Sequence, residues 1–276
     1  MSNRHTHFVT STDGVEIGGA VHGQGPSLVF LPGGVGDGDL DWRASLPYLT
    51  GRFTCYLPSL RGRGLSGDHP DLGRGRLVDD LVAYVDSIGE TTGLVGWSAG
   101  GMVLAVAAQS DAVGAVAAVE PTMFSLMDDQ SRAALGEAVT HMRELAAEGK
   151  LTEAARAFLG FPFNEEEIAV ADESGYFDAI GRYVPTLLNQ LSQTRESTGP
   201  VPDDPAVLGA ISAAVLVLHG SDTKPLFSAS AHHVANHVPD ATLREIPGAG
   251  HASPLTHPAT LAEALAEFLL STQQPT

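Results

Sequence analysis

The sequence predicts an α/β fold: a mostly parallel eight-stranded sheet flanked by helices, with a block of helices inserted before the last two strands. Three observations predict it. Short apolar runs alternate with longer helical patterns, the rhythm of successive strand–helix–strand units. The later runs, Ala115–Val119 and Ala214–His219 among them, are continuously apolar, as strands covered on both faces are. Between Met123 and Pro205 the rhythm stops and helical spacing takes over; the strand pattern resumes at Ala214.

Strands are expected at Phe8–Ser11, Val15–Val21, Ser27–Leu31, Phe53–Leu57, Gly93–Gly96, Ala115–Val119, Ala214–His219 and Thr242–Ile246. Helices are expected from Asp41 to about Leu49, over Leu77–Ser87, over Ala99–Gln109 and over Thr256–Leu270. The last carries Pro258 in its first turn, where a missing N–H costs least. Within the inserted block, Leu135, Ala138, Val139, Met142, Leu145 and Ala146 recur at helical spacing. The run Gly199-Pro200-Val201-Pro202-Asp203-Asp204-Pro205 closes the block as a loop. Residues 123–205 are therefore expected to form a helical cap on a core built from 1–122 and 206–276.

Composition narrows the function. An apolar fraction of 43% suffices for a large core. A net charge of −18 disfavours nucleic acid and anionic membranes, which need Lys and Arg against phosphate. No apolar run is long enough to span a bilayer, and none near the N-terminus fits a signal peptide. A cytoplasmic protein is the expectation. Cys55 is the only cysteine and sits in an apolar strand pattern, so it reads as a small core residue.

The chemistry starts at Gly96-Trp97-Ser98-Ala99-Gly100, a G-x-S-x-G string between a predicted strand and a predicted helix. A turn this tight holds the Ser98 hydroxyl above the sheet, and the small residues on either side let neighbouring backbone pass. A serine needs a base to take its proton. His251, in Pro247-Gly248-Ala249-Gly250-His251 after the last strand, stands where that base belongs. Other histidines have weaker claims. His5 and His7 fall in an expected loose terminus, His141 on the cap and His257 at the start of the last helix. His233 and His237 share a helix face with no third metal ligand in view. Acyl transfer also needs N–H donors for an oxyanion. One is the Ala99 N–H. The second is expected from the glycine-rich Leu31-Pro32-Gly33-Gly34-Val35-Gly36 loop: Gly34, or alternatively Val35.

With Arg61-Gly62-Arg63-Gly64-Leu65-Ser66 added, these motifs resemble the α/β-hydrolase superfamily, serine hydrolase branch, over essentially the whole chain. Many members have His-Gly where this chain has Pro32-Gly33. Two carboxylates compete for the third place in a Ser–His–acid set. The commoner family position follows the seventh strand, where His219-Gly220-Ser221-Asp222-Thr223 offers Asp222, one residue early. Glu120, in Val119-Glu120-Pro121-Thr122, ends an apolar strand and is expected to be buried with a partner. The LPGGVG and VEPT loops, taken with GWSAGG, are also similar to those of zearalenone-type lactone hydrolases. That resemblance implies Glu120.

The expected activity is a serine hydrolase cleaving a carboxylic ester or lactone through an acyl-enzyme, with no metal or organic cofactor. The expected partner is a small, largely apolar substrate under the cap, bounded by members of the set Met123, Phe124, Leu126, Met127, Phe158, Phe161, Phe163, Tyr176, Phe177 and Tyr183. A carbon–carbon bond hydrolase, a cofactor-free lyase or peroxidase, and a non-catalytic receptor on the same fold are the alternatives. Arg61, Arg63 and Asp68 are expected near the site entrance, or in surface ion pairs.

Overall fold

The apolar runs become the centre of a single sheet. The structure, a computed structural model, describes residues 5–193 and 198–272. Met1–Arg4 and the stretch 194–197 of the expected cap lie outside the described residues. The strands are β1 (His5–Thr10), β2 (Glu16–Gly23), β3 (Ser27–Leu31), β4 (Thr54–Pro58), β5 (Thr92–Trp97), β6 (Val113–Val119), β7 (Ala214–Gly220) and β8 (Ala241–Ile246). Their order is β1-β2-β4-β3-β5-β6-β7-β8. β2 runs antiparallel to β1 and β4, and every other pair is parallel. β3 and β5 are buried along their whole length, because helices cover both faces of the sheet. One face packs Phe30, Trp42, Val95 and Val119; the other packs Val29, Leu94, Val103 and Val116.

This order positions the site. From β3 the chain crosses to β4 on one side, while β5 lies on the other. The loops leaving β3 and β5 therefore diverge at the carboxyl ends of the strands, the place where open α/β sheets carry their sites.

Several expectations shift. His5 and His7 are not in a loose terminus: they pair with Val21 and Gly19 of β2, and His7 Nε2 lies 2.8 Å from Ser87 Oγ. The single helix expected from Asp41 is two, Gly38–Trp42 and Leu46–Leu49. Pro47 explains the break, since its ring clashes with the carbonyl of residue 43 in a continuous helix. Behind Ser98 the chain first makes a tighter 3-10 turn, Ser98–Met102, before the α-helix Val103–Ala107. Arg61 and Arg63 do not form surface ion pairs. Arg61 is 1% exposed and chelated by Asp80 (Nε to Oδ2, 2.7 Å; Nη2 to Oδ1, 2.6 Å) and Asp13 (Nη1 to Oδ2, 2.9 Å). Arg63 is buried against Gly36 O and Gln190 Oε1. Asp68 alone of the three is exposed.

Between β6 and β7 run the helices Asp129–Ala147, Leu151–Leu159, Glu165–Glu173, Tyr176–Gly181 and Val184–Gln193. Of their aromatic residues, Phe163, Tyr176, Phe177 and Tyr183 are buried, whereas Phe124, just before the first helix, is exposed. Cys55 is buried in β4, and burial pushes its thiol up to about 12. Among the described residues no helix is long and apolar enough to cross a membrane.

Candidate active site

Ser98 and Glu120 are the only residues other than glycine, among those described, in the left-handed region, with φ of 58° and 50°. Such backbone costs free energy and persists only where the surroundings enforce it. At Ser98 the enforcement is steric. A Cβ on Gly96 would overlap the Gly100 backbone, and one on Gly100 would lie 2.7 Å from Pro32 O. The turn thus demands glycine on both sides of the serine. Glu120 directly follows β6, its N–H donating to Leu218 O of β7 at 2.8 Å. The turn there drives its side chain into the protein, where it is 0% exposed.

These two strained residues meet across His251. The Ser98 hydroxyl lies 2.9 Å from His251 Nε2, and His251 Nδ1 lies 3.2 Å from Glu120 Oε2. An ionised carboxylate only accepts, so Nδ1 carries the proton and Nε2 is left to accept from Ser98. Gly220 N–H (2.5 Å, to Oε1) and the Thr223 hydroxyl (2.7 Å, to Oε2) satisfy the rest of Glu120. His251 is 1% exposed, with the Phe227 ring 3.9 Å from its own. Trp97 Nε1 donates to His251 O at 2.7 Å, which ties the histidine loop to the serine turn.

Asp222 is not brought to the histidine. It is exposed; its Oδ1 accepts from Ser221 Oγ and its N–H donates to Ala249 O. Thr223, one residue later, is the group that reaches Glu120. His233 and His237 bond to backbone carbonyls of Asp203 and His233, and among the described residues no group of three or more His, Cys, Asp or Glu side chains is placed to hold a metal.

In the loop after β3, Gly34 is the one residue between Leu31 and Gly38 that is not buried, and Ser98 and Ala99 are likewise partly open. A Cβ on Gly34 would lie 3.8 Å from that of Ala99, so the two residues are neighbours beside the serine. Among the described residues neither the Gly34 nor the Val35 N–H enters the hydrogen bonds of the loop, whereas Gly33 N–H donates to Asp41 Oδ2 at 2.7 Å.

Asp41 escaped the sequence reading. No local pattern marks one acid in a short amphipathic helix. It is 0% exposed, and a Cβ on Gly36 would overlap its Oδ1. Tyr176 Oη donates to Oδ1 at 2.8 Å, so a residue of the helical insertion braces the anchor of the Gly33-Gly34 loop. Thr122, whose Oγ1 lies 3.3 Å from Ser98 Oγ, was missed as well. Burial pushes the Asp41 carboxyl up to about 7, against the opposing pull of the Tyr176 and Gly33 bonds. A folded-state value above the unfolded one means that the native state holds the proton more tightly. The contribution is thus greatest below pH 4 and is lost as pH rises through 7. Unfolding free energies measured from pH 4 to 8 should show wild type losing ground to Asp41→Asn, by about 1.4 kcal/mol per pH unit between the two values. Parallel curves would mean that Asp41 does not titrate in this range.

The Alpha/beta hydrolase family profile matches residues 28–264. A pimeloyl-[acyl-carrier protein] methyl ester esterase of Chromobacterium violaceum is 29% identical over 255 residues, covering 90% of this chain and 95% of that protein. An alpha/beta hydrolase from Sphaerobacter thermophilus superposes with a TM-score of 0.76 at 25% identity, over 95% of this chain and 100% of the other. A thermophilic esterase from Thermogutta terrifontis superposes at 0.77 with 21% identity, over 98% and 100% of the two chains, a likeness of fold alone.

Proposed function

The chain belongs to the alpha/beta hydrolase family, and on that premise we propose that it is a serine esterase that cleaves a carboxylic ester or lactone through an acyl-enzyme on Ser98. The observation that carries this reading is the continuous line from Ser98 Oγ through His251 to Glu120. The similarity to a methyl ester esterase supports the bond type.

In the proposed reaction Ser98 Oγ attacks the substrate carbonyl while His251 Nε2 takes the hydroxyl proton. The oxyanion is held by the N–H groups of Ala99 and Gly34. The tetrahedral species collapses, and the alcohol leaves with the proton from His251. A water then attacks the acyl-enzyme, again losing its proton to His251, and the acid departs as Ser98 regains a proton. Glu120 stabilises the imidazolium formed in each half. Residues 123–205 act as a cap over this centre, and the core comprises 1–122 and 206–276. The acid on the loop after β6 is the placement that the likeness to zearalenone-type lactone hydrolases implied, and it favours a lactone as the natural ester. The test is turnover of short acyl nitrophenyl esters and a macrocyclic lactone by the purified protein. Hydrolysis of either supports the esterase reading. Inertness on the whole panel overturns it.

A further inference from the structure

A second buried carboxylate stands beside His251, and it comes from the inserted helices rather than from the sheet. Glu167 is 2% exposed and lies in the first turn of the helix Glu165–Glu173. There it completes a capping box: Asn164 N–H donates to Glu167 Oε2 at 2.9 Å, and Glu167 N–H donates to Asn164 Oδ1 at 2.9 Å. A capping box uses one carboxylate oxygen and sits at a solvent-exposed helix end without difficulty. Glu167 does more. Its Oε1 accepts a hydrogen bond from Ala252 N–H, the residue after the histidine. Its approach is so close that a Cβ on Gly250 would lie 2.5 Å from Oε1 and 2.7 Å from Cδ. The residue before His251 must therefore be glycine for this contact to exist. Phe163, just upstream of the cap residue Asn164, puts its ring 6.3 Å from that of His251.

We propose that Glu167 is a positioning residue for His251: from the insertion it clamps the histidine loop through Ala252 N–H and places a negative charge near the imidazole. The inference rests on the esterase reading above. Its physical content is that seating of the inserted helices and readiness of the base are one event. If the insertion lifts, the loop loses its anchor and the imidazolium loses a counter-charge. Burial, and to a lesser degree Glu120, raises the Glu167 carboxyl above its ordinary value, against the pull of the two N–H bonds and His251. The charged groups facing this corner are Glu120 from the loop after β6, Glu167 from the insertion, and Lys224 from the start of the helix after β7. Lys224 Nζ reaches Phe161 O and interacts with Glu167. Lys224 carries the opposite charge to the two acids, one of which, Glu120, contacts the imidazole directly.

Glu167→Gln keeps the size of the side chain and one oxygen to accept from Ala252 N–H, but removes the charge and turns the amide NH2 toward Asn164 N–H. The measurement is the NMR titration of the His251 imidazole in wild type and variant, alongside kcat and KM on the best ester. The expected result is a downward move of the titration midpoint on the order of 1 pH unit. It comes with a kcat loss of about tenfold and an unchanged KM. An unmoved midpoint with unchanged kcat overturns the proposal. Gly250→Ala serves if the first variant fails to fold. It pushes the loop off Glu167 with every ionisable group retained, and should lower kcat, not KM; an unaltered kcat overturns the clamp. The NMR readout needs no turnover, so an inert wild type would sink the esterase reading while leaving this test standing.

Discussion

Replacing Ser98 with alanine should abolish ester turnover, with a loss in kcat on the order of 10⁶ for a serine acting as the attacking atom. The neighbouring hydroxyl does not substitute for it. Thr122 Oγ1 lies 3.3 Å from Ser98 Oγ, but the imidazole nitrogen is 2.9 Å from Ser98 Oγ and no bond joins it to Thr122. The backbone supplies a second signature. At φ 58° a side chain is strained, so Ser98→Gly should keep or raise thermal stability while activity vanishes. A serine held there for structure would give the opposite pattern, a less stable protein that still turns over. The comparison is kcat against melting temperature for wild type, Ser98→Ala and Ser98→Gly.

The second large effect separates two acids. Glu120→Gln should lower kcat by about 10⁴, whereas Asp222→Asn should leave it near wild type. A glutamine at 120 can turn its amide N–H toward Nδ1 and favour the tautomer that puts the proton on Nε2, where it cannot accept from Ser98. It also leaves Gly220 N–H and the Thr223 hydroxyl competing for one oxygen in a site with no exposure. Asp222, by contrast, is exposed, and its carboxylate receives a local bond from Ser221. Steady-state kinetics on one ester decide between them. Loss in Asp222→Asn with survival of Glu120→Gln would assign the acid to the loop after β7.

Why Glu120 was visible in the sequence at all follows from its setting: a carboxylate closing a fully apolar strand has to find a partner. The central strands were legible because β3, β5 and β7 each carry an apolar run broken only near their ends. The serine turn and the histidine loop carry strong local patterns of glycine around one polar side chain. What stayed hidden was long-range or ambiguous locally. Arg61 reads as a surface charge until Asp13 and Asp80, far apart in sequence, close around it. Asp41 meets Tyr176 across 135 positions of sequence. Glu167 is foreseeable as a capping residue from Asn164 three positions earlier, but its reach to Ala252 is not. Helix limits failed where backbone geometry is special: the 3-10 turn at Ser98 and the break at Pro47 both interrupt an apolar spacing that looks continuous. His5 and His7 looked loose because β1 is an exposed edge strand with little apolar character.

The most direct test of the central claim is the mass of the intact protein after mixing with a slowly hydrolysed nitrophenyl ester, followed by peptide mapping. One acyl group per chain on the peptide carrying Ser98, absent in Ser98→Ala, is the predicted result. Turnover with no adduct under quenching, or an adduct mapping to another residue, would contradict it.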